Sequence, residues 1–267
     1  MYELEMTGLT IKAIFLDVDG TIISFKTHRI PQTTVDALNA AHERGARIII
    51  ATGRAATDIG ELDAIPYDAV VSLNGARCML RDGTEISSRP ISREDFVRVR
   101  GIAEKHGFPI ALEVEKGIFV NYVNDTVISL ARLVNHPVPP VVDIDREFDE
   151  CNCCQLCIYC GEDVEKEIKA EIPGLNVSRW NEYFADVNVA GTDKASGMAD
   201  MAACMGFSME ETMAFGDGGN DIPMLRAAGI GIAMGGASES VKAHAGYVTG
   251  DVDENGIRDA LVHFGII

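Results

Sequence analysis

The chain has 267 residues, 47% of them hydrophobic and 24% charged, with a formal net charge of −18. That length can bury a substantial core and hold two domains, and the composition excludes a disordered or fibrous protein. The acidic balance, with no basic run to offset it, argues against a nucleic-acid backbone or an anionic membrane as partner.

No apolar stretch approaches the roughly 18 residues of a membrane span. Met1 to Thr10 has acids where a signal peptide needs a basic region, so a cytoplasmic location is expected. The seven cysteines, an odd number in a chain that is not small, are expected as free thiols.

Ile11 to Leu16 is an apolar run that stops on Asp17-Val18-Asp19-Gly20-Thr21. As a buried parallel strand it delivers Asp17 to the carboxyl edge of a sheet, where open α/β folds place their chemistry. Two carboxylates so close repel each other, and packing alone does not select them. They suit a hard cation, with one carboxylate free to attack and its neighbour free to move protons. Pro31 to Arg44 has Val35, Leu38 and Ala41 at helical spacing, with Gly45 as a stop. Arg47 to Ala51 ends at Thr52-Gly53-Arg54, and Asp68 to Leu73 ends at Asn74-Gly75; both read as buried strands. Strand, helix, strand is the βαβ unit of a parallel sheet.

The middle of the chain changes character. Ser92 to His106 reads as a charged helix with a capping-box-like start at Ser92 and Asp95. Ala111–Val114 and Ile118–Tyr122 flank Glu115-Lys116-Gly117 as a hairpin. A helix over Asp125–Val134, a Pro-rich stretch from His136 to Pro140, a strand within Cys153–Cys160 and a helix over Asp163–Glu171 follow. A second hairpin pairs Asn176–Trp180 with Tyr183–Asn188. This order predicts an α/β protein: a Rossmann-like parallel-sheet core of residues 1–81 and 186–267, with an α+β cap inserted at 82–185. The core resumes with a helix over Asp193–Met205, the strand Thr212–Phe215 ending at Gly216-Asp217, and a helix over Asp221–Ala228. Gly229–Met234 and Gly246–Val248 read as closing strands.

With the strands side by side, Asp17, Asp19, Thr52 and Asp217 meet at one sheet edge. Asp217-Gly218-Gly219-Asn220-Asp221 adds a second carboxylate-and-glycine loop, and Lys194 lies near the start of the preceding helix. Acids, one lysine, one hydroxyl and loop amides suit a phosphoryl group held beside Mg²⁺. Two unit charges about 4 Å apart repel by roughly 4 kcal/mol at an effective dielectric of 20. A carboxylate therefore approaches a phosphate dianion only with positive charge nearby, here Mg²⁺ and Lys194.

Four motifs in this order resemble those of haloacid dehalogenase-superfamily phosphatases, in the Cof-like group with a large inserted cap. They are Asp17-Val18-Asp19-Gly20-Thr21, Thr52-Gly53-Arg54, Lys194 and Gly216-Asp217-Gly218-Gly219-Asn220-Asp221. Ser72-Leu73-Asn74-Gly75-Ala76 and the tail from Ala233 to Ile257 are also similar; the cap matches only in layout. Two departures, Lys194-Ala195 for Lys-Gly and Met234-Gly235-Gly236-Ala237 for Met-Gly-Asn-Ala, remove no reacting group.

The resemblance implies roles. Asp17 would attack phosphorus to give an aspartyl-phosphate, and Asp19 would protonate the leaving alcohol and then activate water. Thr52, Gly53, the Val18 amide and Asn220 would hold phosphate oxygens, and Lys194 would neutralise charge. Mg²⁺ would sit on Asp17, the Asp19 backbone carbonyl and Asp217, with Asp221 acting through water or orienting Lys194. The expected reaction is hydrolysis of a small phosphomonoester, sugar phosphates first, with nucleotides or pyridoxal phosphate behind. A phosphotransferase or phosphomutase is the alternative, and a non-catalytic Mg²⁺-dependent binding protein the third reading.

Other features stay outside this scheme. Arg54 reads equally as a substrate contact or as the partner of an acid. Cys151, Cys154, Cys157 and Cys160 recur every third residue, yet an extended strand cannot wrap four thiolates around one ion, so packing is expected there. The six histidines show no ligand spacing. Trp180 and Tyr183 read as core packing or as cap residues lining the cleft. The sequence carries no signal for an oligomeric state.

Overall fold

The computed structural model describes residues 10–133, 136–179 and 182–267. Residues 1–9, Val134 at the end of an expected helix and Trp180 at the end of an expected strand lie outside them. The chain opens with β1 (Ala13–Leu16), α1 (Gln32–Glu43), β2 (Arg47–Ala51) and β3 (Ala69–Ser72), then the hairpin β4 (Arg77–Leu80) and β5 (Glu85–Ser88). The middle comprises α2 (Arg93–His106), β6 (Ile110–Val114), β7 (Gly117–Val120), α3 (Asp125–Leu133) and α4 (Ile144–Asp149). It continues through β8 (Gln155–Ile158), α5 (Glu162–Glu171), β9 (Leu175–Arg179) and β10 (Ala185–Val189). The last third holds α6 (Lys194–Met205), β11 (Thr212–Gly216), α7 (Ile222–Ala227) and β12 (Ile230–Ala233). It closes with α8 (Glu239–Lys242), β13 (Tyr247–Val248) and α9 (Gly256–His263).

The first sheet has the order β13-β12-β11-β1-β2-β3-β4-β5. β1 sits between β2 and β11, parallel to both, with Phe15 level with Ile49 and Ala214. Side chains alternate across the strands. Ile14, Leu16, Ile48, Ile50, Met213 and Phe215 pack on one face, against Leu38 of α1 and Leu261 of α9. Ala13, Phe15, Ile49, Ala51 and Ala214 pack on the other, against Met198 and Met201 of α6 and Met224 of α7. Both faces are covered, and this makes the strands uniformly apolar and halts them sharply at their polar carboxyl ends.

The second sheet, β7-β6-β8-β10-β9, is antiparallel throughout. One face is sealed by α2 and α5 through Phe96, Val99, Ile102 and Ile168. Ser92 opens α2 as its N-cap, its Oγ accepting the Asp95 amide at 3.0 Å. The expected α+β insert is thus present, but its bounds move. β4 pairs antiparallel with β3 and β5 with β4, so the expected break at 82 falls inside a hairpin of the first sheet. β10 pairs with β8 and β9, so the expected return at 185/186 falls inside a strand of the second. The chain crosses between sheets after Ser88 and after Val189. Short, half-exposed strands β4 and β5 carry too little apolar pattern to signal their sheet in sequence.

The cysteine stretch is also clearer. Strand β8 begins only at Gln155, so Cys154 leaves the expected alternation and packs with Ala55, Leu73 and Ala76. Cys157 and Tyr159 face one way, and Leu156 and Ile158 the other. All seven cysteines are free, and the four at every-third spacing do not converge on one point.

Candidate active site

Strand β1 ends on Asp17, whose amide continues the ladder to the Phe215 carbonyl at 3.0 Å. The turn that follows is closed by the Val18 carbonyl, which accepts from the Ile22 and Ile23 amides at 2.9 and 2.8 Å. Gly20 has φ 85, and a Cβ there would lie 2.4 Å from Asp217 Oδ2. Only glycine lets the two acidic loops approach so closely. Thr21 Oγ1 then donates to Asp217 Oδ1 at 3.0 Å.

Lys194 arrives on the first turn of α6, whose start is fixed by a capping box between Asp193 and Ser196. Its ammonium is fully buried and donates to Asp17 Oδ1 and Asp221 Oδ1, each at 2.5 Å. Asp221 Oδ2 accepts the Asp217 and Gly218 amides at 2.9 and 2.8 Å, which shapes the loop after β11.

One lysine serves two carboxylates, with a third close by. Burial works against the Lys194 ammonium, but Asp17 and Asp221 outweigh it and hold its pKa above the ordinary lysine value. Burial pushes the Asp17 carboxyl well above the ordinary range, Asp221 adding to the push and Lys194 opposing it. Asp217 is pushed up to about 7, by burial first and then by Asp221. These shifts agree with one another: the lysine stays charged, and the surplus of buried negative charge around it is not cancelled. Asp17, Asp217 and Asp221 each bring an oxygen within 4.8 Å of the others. Hard oxygen donors with uncancelled charge are the donor set a divalent cation such as Mg²⁺ requires.

The remaining predicted residues lie around this centre. Thr52 follows β2, is buried, and accepts the Asn74 amide on its carbonyl at 3.0 Å. Asn220 donates to Asn74 Oδ1 at 3.0 Å. The Asp19 side chain stands outside the three-acid group and is held by Arg54, Nε to Oδ2 at 2.8 Å and Nη2 to Oδ1 at 2.5 Å. Arg54 also reaches Glu61 at 2.6 Å, so it partners acids here. A cavity of about 410 Å³, lined in part by Ala55, Ala56, Thr57, Leu73 and Val114, opens at the junction of the two sheets. Another, of about 440 Å³, lies at the opposite end of the first sheet by Arg47, Asp68 and Arg81, away from these acids.

Sequence reasoning missed a second buried group, on the face of the antiparallel sheet turned toward Gly53 and Asn74. Glu113, Gln155, Cys157, Asp186 and Asn188 come from three adjacent strands. Glu113, Cys157 and Asp186 also bring a ligand atom each within 4.8 Å of one another. The available signal was Asp186 and Asn188, two polar residues at period two in Ala-Asp-Val-Asn-Val.

A doubly wound sheet with buried carboxylates and a buried lysine at its carboxyl edge, under an inserted antiparallel sheet, defines a capped α/β hydrolase. A family model, haloacid dehalogenase-like hydrolase, matches residues 14–261, and the chain belongs to that family. The solved structure of the phosphatase BT1666 from Bacteroides thetaiotaomicron is similar over 99% of this chain and 98% of its own, with 50% identity and a TM-score of 0.94. That of the sugar phosphatase BT4131, described as HAD subclass IIB, is similar over 96% and 100%, with 41% identity and a TM-score of 0.87. The Bacillus subtilis putative phosphatase YkrA is 29% identical over 96% of this chain and 98% of its own length. No helix among the described residues is long and apolar enough to cross a membrane.

Proposed function

We propose that this hydrolase is a Mg²⁺-dependent phosphatase of small phosphomonoesters, sugar phosphates first, acting through an aspartyl-phosphate. The observation that carries the reading is Asp17, buried at the end of β1 and touching the buried Lys194 within a group of three converging acids. Asp17 attacks phosphorus, and Lys194 steadies the negative charge gathering on the attacked group. Thr52, Gly53, the Val18 amide and Asn220 hold the phosphate oxygens. Asp19 gives a proton to the leaving alcohol and then takes one from the attacking water, which requires its carboxylate to leave Arg54. Asp17, Asp217 and the Asp19 backbone carbonyl would hold Mg²⁺, which would supply the positive charge that brings two anions together. Asp221 orients Lys194 rather than facing the substrate, consistent with its bonds to that ammonium and to two loop amides. The inserted sheet serves as a cap that excludes bulk water and reads the leaving group. The acidic chain suits a small metabolite in the cytoplasm better than a polyanion.

The test is phosphate release from a panel of metabolite monoesters, with and without Mg²⁺, for the wild type and Asp17→Asn. Release that needs Mg²⁺ and is abolished in the variant is expected. Release by Asp17→Asn at the wild-type rate sinks the covalent mechanism. Phosphorylation of an added polyol in place of release makes the protein a phosphotransferase.

A further inference from the structure

The polar face of the second sheet is costly as packing. Glu113, Gln155, Asp186, Asn188 and Asn74 are all more than nine-tenths buried, and apolar residues of the same size would fill that space without losing hydration. What these side chains do instead is grip the loops assigned above to phosphate. Gln155 Nε2 donates to the Gly53 carbonyl at 3.0 Å and to Glu113 Oε2 at 2.8 Å, while Glu113 Oε1 accepts the Ala55 amide at 2.9 Å. The loop 52–55 is therefore held at two backbone points from the second sheet.

Asn74 closes the network from the other side. Its Nδ2 donates to Gln155 Oε1 at 3.0 Å and to Asp186 Oδ2 at 2.9 Å, and its Oδ1 accepts from Asn220 Nδ2 at 3.0 Å. Both amide hydrogens and the oxygen are used, which fixes the amide plane and takes one of the two hydrogens of Asn220. A Cβ on Gly53 would sit 3.3 Å from both polar atoms of that amide, so the motif glycine lies flat against it. Leu73, Asn74 and Gly75 have φ of 50°, 53° and 92°, three left-handed residues in a row. A Cβ on Gly75 would meet the Asp193 carbonyl at 2.0 Å, which packs this turn on the residue before Lys194. Such a turn persists only where its surroundings enforce it.

We propose that Asn74 and Gln155 are positioning residues that couple docking of the inserted sheet to the phosphate-binding loops. With the cap seated, Gln155 holds the Gly53 carbonyl and fixes, with Asp186, the Asn74 amide that meets Asn220; with it lifted, Gly53 loses that hold and the Asn74 amide is free to turn. The proposal rests on the phosphatase reading for the roles of Gly53 and Asn220, but the coupling itself rests on the contacts.

The experiment compares wild type, Asn74→Gly, Gln155→Leu and the double variant. Glycine accepts the left-handed backbone at 74 and removes the side chain with its amide. Two quantities are read: kcat and KM on the monoester the wild type hydrolyses best, and amide exchange of residues 52–56 with and without Mg²⁺ and inorganic phosphate. Each single change is expected to lower kcat about tenfold to a hundredfold, the size of effect a small misplacement of reacting groups produces, with a smaller change in KM. The double variant should be no worse than the worse single one, because one chain of contacts is broken either way. Phosphate-dependent protection of residues 52–56 should weaken in all three. Losses that multiply, or a lowered melting point with kcat and exchange unchanged, overturn the coupling and leave a purely structural role. A wild type that releases no phosphate from any ester, yet loses the phosphate-dependent protection in the variants, overturns the phosphatase reading and leaves the coupling standing.

Discussion

Two buried groups of acids lie at the junction of the sheets, and they are stabilised in opposite ways. Around Asp17 the partner is a charged ammonium: Lys194 touches two carboxylates at 2.5 Å, and the neighbouring acids remain in surplus. Around Glu113 and Asp186 the partners are neutral: Gln155, Asn74, the Ala55 amide and the Cys157 thiol. Burial raises Asp17 and Asp217 in the first group, and in the second it pushes Glu113 up to about 7 and Asp186 to about 8, so that both of these carry protons in mildly acidic solution. A carboxylate's company thus separates its uses. A buried acid beside a buried ammonium has positive charge at hand when it ionises, and a buried acid among amides has only hydrogen bonds.

The harshest way to break the comparison is to remove the cation. Lys194→Met keeps most of the length of the side chain and leaves Asp17 and Asp221 without their shared partner. Removing one member of a buried pair typically costs 3–5 kcal/mol, roughly, because the other charge stays buried. Chemical unfolding should show a loss of about that size, with phosphate release down by about a thousandfold or more. Adding Mg²⁺ should recover part of the stability, since a divalent cation on the same acids replaces some of the lost charge. An active Lys194→Met of wild-type stability would mean that the ammonium is a bystander.

The two groups also differ in how far they could be read from sequence. Asp17 was legible because a buried parallel strand is apolar on both faces, so its first charged residues stand out. The loops of Asp217 and Thr52 were legible for the same reason, and the order of the strands brought them together. Lys194 could be placed near a helix start but not shown to be buried. The cap group was illegible as a group: Gln155 lies 81 positions from Asn74 and 102 from Gly53, and their meeting depends on how one sheet docks on another. The hairpin β4–β5 and the short helices α4 and α8 were missed because a handful of half-exposed residues carries no clear period.

A gentler way to sharpen the comparison is pH. An acid whose folded pKa is raised contributes stability that is fully present below its unfolded pKa and is lost as pH rises through its folded value. For Asp186 the window runs from the ordinary 3.8 to about 8, and for Glu113 from 4.5 to about 7, so stability should fall between about pH 4 and 8. Asp17 and Asp217 push the same way, and saturating Mg²⁺ removes their part by holding both as carboxylates. The groups facing Asp186 are Glu113, Cys157, Asn74 and, at longer range, Lys194; Glu113 also faces Asp58. In Mg²⁺, therefore, urea midpoints should still decline from pH 5 to 8.5 in the wild type, and the decline should shrink in Asp186→Asn. An equal slope in wild type and variant would place the titration elsewhere.

Cys157 offers the smallest and most discriminating change. Its Sγ lies 3.6 Å from Glu113 Oε2 and 3.7 Å from Asp186 Oδ1, one thiol hydrogen between two carboxyl groups. If the acids were both ionised, that single weak donor would face two negative charges, and a serine hydroxyl, a stronger donor, would be preferred outright. If the acids carry their own protons, the thiol is as useful as an acceptor, and its bulk and apolar character matter more. Burial, reinforced by Glu113 and Asp186, raises the Cys157 thiol well above its ordinary range, so it stays a thiol. Cys157→Ser should then shift stability by no more than about 1 kcal/mol near pH 6, where the acids are neutral. It should become relatively more favourable near pH 9, where they are not. Cys204→Ser, at an exposed position, serves as the control. A serine variant that tracks the wild type at both pH values would show that Glu113 and Asp186 do not change charge between them, and the contrast with the Asp17 group would fail.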